Sequence, residues 1–284
     1  MRMSKSACLI CLLSISATLL ATVGGNVAQG QDATPAVVAA TPTPQAKSKD
    51  REPTGEQAAE LALLVYGSRQ GIAQIRRNGV ERGRITRPKE DGTTEELTYE
   101  RRFVRGETTE KDKVRIDQKS PTLDYSLLYD AGQVQGIVNG TIFTPRDDTI
   151  ADFKNEMHHG IDALLRYKEN GSTVSFVRKD KQKNLDLWIV DLATKAGERT
   201  RYYISAKSYR VLYLEYEQPA SAGGEAVTFR RTFHDYRYAQ GTLVPFRTVL
   251  YVKDRQLAEA RILTVTYGVK MEDAVFRVGA ANAS

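Results

Sequence analysis

Metal or acid-base chemistry in this sequence would have to start from three histidines and the acidic residues beside them. His158 and His159 are adjacent, with Glu156 two residues earlier. A zinc-binding helix places two histidines four residues apart so that both reach one ion, whereas neighbouring residues leave a helix in different directions. Glu156 therefore does not complete a His-Glu-x-x-His motif, and the pair is expected at the surface or at a helix end. His234 lies in the strand Phe233-His-Asp-Tyr236, where successive side chains face opposite sides and Asp235 is a poor partner. The acidic pairs Glu95-Glu96 and Asp147-Asp148 fit a turn flank and a helix start. No serine elbow, phosphate loop or dinucleotide fingerprint occurs. Arg76-Arg77 and Arg101-Arg102, close to Tyr99 and Phe103, have the residue types of a nucleic-acid surface, but interleaved acids and an export signal argue against that partner. The expectation is a protein that is not an enzyme, with no metal, no cofactor and no nucleic acid.

Thiol chemistry is also unexpected. Arg2 and Lys5 precede an apolar run over residues 7–23, and Ala28-Gln-Gly30 offers small side chains at a cleavage point near Gly30. Residues 1–30 thus read as a signal peptide, and the chain as periplasmic. Both cysteines, Cys8 and Cys11, fall inside the apolar run, so cleavage removes them and leaves no disulfide. An uncleaved anchor is the competing reading, since the run is near the short limit for spanning a bilayer. Residues 31–53, rich in Ala, Pro and Thr and then charged, read as a disordered tether. Residues 54–280 are long enough for one domain with a sizeable core. The net charge of +6 permits attraction to an acidic surface without requiring it.

The elements of that domain follow from periodicity. Thr54 and Gln57 form a capping box before a helix over 56–66, with Ala58, Leu61, Leu64 and Val65 expected on its buried face and Gly67 at its end. The period then changes to two. Residues 75–87, 97–103, 114–117, 125–129 and 134–138 alternate apolar and polar, with turns at Asp130-Ala-Gly132 and Asn139-Gly140. Pro145 interrupts the pattern, and 147–168 carries two short amphipathic helices, the first with Ile150, Phe153 and Met157 on one face. Strands resume at 174–178, 185–192, 201–205, 211–217, 227–238, 243–252 and 257–267, and Met271 to Val278 continues the run. The fold class is mainly β (α+β): ten or more antiparallel strands, curled, with helices covering the concave face. A transmembrane barrel would need a uniformly apolar outer face. Arg101, Arg178, Arg201, Glu215, Arg230 and Arg261 within strands argue for solvent on that side.

The order of export signal, amphipathic helix, antiparallel strands, helical insert around 153–167, the strand Arg201-Tyr-Tyr-Ile-Ser205 and the closing segments at 241–246, Tyr251 and Ala274-Val-Phe276 resembles the outer-membrane lipoprotein-sorting proteins of the LolA/LolB type. The resemblance covers nearly all of residues 54–278. It implies an unclosed antiparallel half-barrel with helices as a lid, whose apolar cavity accepts the acyl chains of lipoproteins or other lipids. The long tether and greater length depart from the carriers of that type.

An acyl chain in water costs about 0.8 kcal/mol per exposed CH₂, so a carrier must hide it. On strand parity the lining would be Leu97, Tyr99, Phe103, Tyr125, Leu127, Phe176, Leu187 and Phe246, with Phe153 and Met157 from the helical lid. The same alternation serves any sheet core. Two functions stay open: a carrier or binding protein for acylated cargo, and a sensor or structural module that uses the same fold to bind a membrane-bound protein partner.

Overall fold

The computed structural model describes residues 52–218 and 226–279. The expected signal peptide and most of the tether lie outside the described residues.

Thr54 caps α1 (Gly55–Tyr66) through the reciprocal Thr54–Gln57 bonds of a capping box, and Gly67 closes the helix at φ 128°. The buried face differs from the one read from periodicity. Ala58, Ala59, Ala62, Leu63 and Tyr66 point inward, while Leu64 is 63% exposed. Small side chains win the inner face because α1 lies close on the sheet: a Cβ added at Gly55 would sit 2.5 Å from the Val174 carbonyl oxygen. A second helix, α2 (Arg69–Ile75), occupies the stretch leading into the expected first strand.

Among the described residues, thirteen strands form one antiparallel sheet. β1 (Asn78–Pro88), β2 (Thr94–Val104), β3 (Lys113–Ser120), β4 (Leu123–Asp130), β5 (Gln133–Val138) and β6 (Thr141–Phe143) run as a meander. α3 (Asp147–His158) and α4 (Ile161–Leu165) follow. The second meander comprises β7 (Thr173–Gln182), β8 (Leu185–Ala193), β9 (Arg199–Ser205), β10 (Val211–Gln218), β11 (Val227–Ala239), β12 (Thr242–Val252) and β13 (Arg255–Tyr267). The order β6-β5-β4-β3-β2-β1-β13-β12-β11-β10-β9-β8-β7 joins the two meanders along β1 and β13 and leaves β6 and β7 as edges. The sheet is not closed into a barrel. Two of the two-residue hairpins of the first meander have left-handed central residues, Ala131-Gly132 and Asn139-Gly140, the geometry that matches strand twist. Asp273–Phe276, expected among the strands, is instead a 3-10 turn; its buried Phe276 packs that turn against β3 and β4.

The helices divide the concave side into two packed regions. α1, α2 and α4 cover the second meander, where Leu63, Tyr66, Leu164 and Leu165 meet Val190, Tyr202, Ile204 and Leu214. The other region gathers Phe103, Val114, Tyr125, Leu127, Tyr129 and Val134 under Phe153 of α3. The convex face is charged and internally paired. Asp117 receives Arg102 at 2.7 Å and Arg115 at 2.8 Å, with Ser126 donating at 2.6 Å. Arg201 grips Asp191 through two bonds of 2.7 and 2.8 Å. Such a ladder belongs in water, since arginine facing lipid costs several kcal/mol.

Candidate ligand-binding site

Cross-strand register builds the inner surface. Tyr99 stands opposite Gly83 and Phe103 opposite Gly79, while Phe103, Val114 and Tyr129 lie in one row across β2, β3 and β4. The glycines are there for space. A Cβ at Gly83 would approach the Tyr99 ring to 2.5 Å, and one at Gly136 would approach the Phe143 ring to 2.4 Å. Each ring therefore lies across bare backbone, which brings aromatic surface close to the sheet.

Of the residues read from parity, Phe103, Tyr125, Leu127 and Phe153 come together in one buried cluster, with Met157 and Phe246 partly buried against it. Leu97 and Tyr99 are buried on the same inner row of β2. Phe176 packs against the other cluster, beneath α1. Leu187 is a correction: it joins Ile189 and Tyr203 in a separate cluster on the convex side. The strand from Leu187 to Leu192 is apolar on both faces, so alternation could not decide which row turns inward. Tyr129, Val114 and Val134 belong to the same cluster as Phe103; Tyr129 shares the parity of Tyr125 and Leu127, a signal that was available.

The lining is not purely apolar. Arg101, expected on the wet side, faces inward opposite Glu81, with its guanidinium 4.8 Å from the centre of the Phe103 ring. The Tyr99 hydroxyl donates to Glu81 at 2.7 Å; burial, then the neighbouring Glu81 charge, pushes its pKa up. Buried Arg231 donates to Glu156 of α3 at 2.6 Å. Asp152, one helical turn from both Asp148 and Glu156, is raised to about 6 by burial and then by those two carboxylates. Among the described residues no group of three His, Cys, Asp or Glu side chains is placed to hold a metal ion.

α3 is lightly attached. Thr149 and Phe153 are its buried residues, and Phe153 stacks on Tyr129 with ring centres 6.0 Å apart. The histidines fasten its end. His158 meets Glu198 at 3.1 Å, and His159 meets Thr200 at 2.7 Å while stacking on Tyr216 at 4.1 Å. The helix-end position was legible, but His159 is buried and not at the surface. Burial lowers its pKa to about 4, whereas the hydrogen bond to Glu198 raises that of His158.

These shifts have opposite consequences. His159 supports the fold fully above its unfolded value of 6.5 and withdraws that support as the pH falls toward 4. His158 supports it below 6.5 and loses that effect as the pH rises through its higher folded value. Urea midpoints are expected to fall between pH 6.5 and 4, with a contribution from His159 of order 1–3 kcal/mol. His159→Gln should flatten that fall. An unchanged slope in the variant would show that His159 titrates normally.

No family model matches the sequence, and no curated protein matches it. Solved structures do. An outer membrane lipoprotein-sorting protein domain from Vibrio parahaemolyticus aligns with TM-score 0.53 at 11% identity, over 78% of this chain and 97% of its own. A LolA superfamily protein from Nitrosomonas europaea aligns with TM-score 0.53 at 10% identity, over 80% and 98%. A DUF1329 family protein from Desulfovibrio piger reaches TM-score 0.58 at 12% identity, over 80% and 98%. At these identities the likeness is one of fold. An open antiparallel sheet with helices on its concave side, spanning nearly the whole length of these domains, gives this chain the fold of the LolA-type lipoprotein-sorting proteins.

Proposed function

We propose that the protein is a periplasmic carrier or binding protein for lipoproteins or other acylated, lipophilic cargo, held between the inner face of the sheet and α3. This reading assigns it no catalytic step. One observation carries it: an aromatic inner surface in an unclosed sheet is covered by a helix whose one large buried side chain is Phe153, with Ile150 and Met157 partly buried beside it. Burying a phenylalanine contributes about 2–3 kcal/mol, an amount that an entering acyl chain can replace with a few buried methylenes. The apolar part of the cost of lifting α3 is therefore one that the cargo taking its place can offset.

Purified mature protein is expected to retain lipid in native mass spectrometry and to bind a fluorescent fatty-acyl probe. Phe103→Asp is a poor test of the site, because the new carboxylate would lie beside Arg101 and Arg105, whose guanidiniums are 4.8 and 5.9 Å from the Phe103 ring centre. Leu127→Asp is better placed, in a row with Ile116 and Gly136. A lid that lifts admits water to the new carboxylate, so the variant should keep its circular dichroism spectrum and lose the probe. Unfolding would assign Leu127 to a permanent core, since an unpaired buried carboxylate costs several kcal/mol.

A second reading, a module that binds a membrane-bound protein partner, is favoured by the outer side of α1. Pro53, Leu61, Leu64 and Trp188 line a groove of about 470 Å³ there. Wild-type protein that carries no lipid, ignores the acyl probe and captures a membrane protein would replace the carrier reading with this one.

A further inference from the structure

We propose that the cleft between α2, the turn after β2 and the end of α4 is a binding site for a phosphate group. The cleft, of about 510 Å³, is lined by four arginines, Arg69, Arg77, Arg105 and Arg166, over an apolar floor that includes Ile72 and Leu165. Two glutamates share the lining, Glu107 and Glu169, and each already has a cation: Lys111 meets Glu107 at 2.5 Å and Arg69 meets Glu169 at 3.1 Å. Four arginines against two glutamates leave the lining net positive, although Arg69, Arg105 and Arg166 also have carboxylate partners.

Three of the guanidiniums are held in place before any ligand arrives. Arg166 is fixed by Asp112 at 2.7 Å and by the Gly106 carbonyl at 2.9 Å. Arg105 is fixed by Asp162 at 2.5 Å. Arg69 bridges Glu60 and Glu169 and lies 5.6 Å from the Tyr167 ring centre. Arg77 differs. It is exposed, and among the described residues its side chain has no ion-pair partner, while its carbonyl accepts the Arg105 N–H at 2.8 Å and so keeps the two arginines side by side. An arginine carries five donors, and four arginines on the walls of one cleft suit an anion with several oxygens in three dimensions better than a flat carboxylate. The apolar floor adds room for carbon beside the phosphate, so the group could belong to a lipid headgroup or to free phosphate. The proposal does not depend on the carrier reading.

The test uses the mature protein with inorganic phosphate by calorimetry, and with vesicles of phosphatidylglycerol or phosphatidylcholine by cosedimentation. Arg77→Ala is expected to weaken binding about tenfold, the loss of one charge-assisted bond. Arg82→Ala serves as the control for net charge, because Arg82 is on the outer face, paired with Glu100 and 61% exposed. It should leave binding unchanged. Loss confined to phosphatidylglycerol vesicles identifies a headgroup, loss confined to inorganic phosphate identifies the free ion, and loss of both shows that the phosphate itself is recognised. Wild-type protein that binds neither, or variants at Arg77 and Arg82 that weaken binding equally, would overturn the proposal.

Discussion

Asp112→Ala is expected to lower stability by about 3–5 kcal/mol, the cost of leaving a buried charge without its partner. Both carboxylate oxygens of Asp112 face Arg166, at 3.0 and 2.7 Å, and the two side chains are only 12% and 8% exposed. Asp112 also accepts the Gly106 N–H at 2.8 Å, so its loss frees the turn after β2 as well as the end of α4. Asp112→Asn keeps an acceptor for Gly106 and removes only the charge, and should cost less. The double variant Asp112→Ala with Arg166→Met should recover part of the loss, since no buried cation then remains unpaired. Urea denaturation at pH 7 measures all three. A loss below about 1 kcal/mol for Asp112→Ala would place the pair among solvated surface bridges.

Gly83→Val is expected to cost about 3 kcal/mol or more through overpacking. A Cβ there would lie 2.3 Å from the Arg261 carbonyl oxygen and 2.5 Å from Tyr99 Cε1. Neither neighbour can easily withdraw: one is backbone of β13, and the Tyr99 ring is tethered through its hydroxyl to Glu81. The register between β1 and β13 also slips at this point, between Arg82 and Gly83, so the strand is already bent where the ring lies. Tyr99→Ala should relieve only the ring contact. Thermal unfolding of Gly83→Ala, alone and with Tyr99→Ala, separates the two contributions; equal losses would mean that the carbonyl alone sets the limit.

Much of the fold was legible because it rests on local rules. The capping box at Thr54, the turn residues at Asn139-Gly140 and the acidic start of α3 each declare an element through a hydrogen-bond or dihedral requirement. Orientation was less legible. Leu64 outranks Ala62 in hydrophobicity, yet the shorter side chain faces inward because the helix must approach the sheet. Arg101 has the look of a solvent residue, and its inward position depends on Glu81 and the Phe103 ring, partners that only register brings together. Leu187 shows a third limit: a strand apolar on both faces gives alternation nothing to read. The arginine cleft was out of reach for a different reason, since its four side chains come from α2, the link before β1, the turn after β2 and the end of α4.

The first and last strands, β1 and β13, meet in the middle of the sheet, and its two edges, β6 and β7, come from the middle of the chain. Every other strand pairs with a neighbour in sequence, so hairpins can form as soon as their residues exist. The joint between β1 and β13 cannot: Thr86 pairs with Glu259, 173 residues away. Until β13 is present, β1 and β12 each expose an unpaired edge, and the first six strands and the rest are two unfinished sheets. Pairings so distant in sequence are slow to form. A chain with this layout cannot complete its single sheet until its last long strand has been delivered.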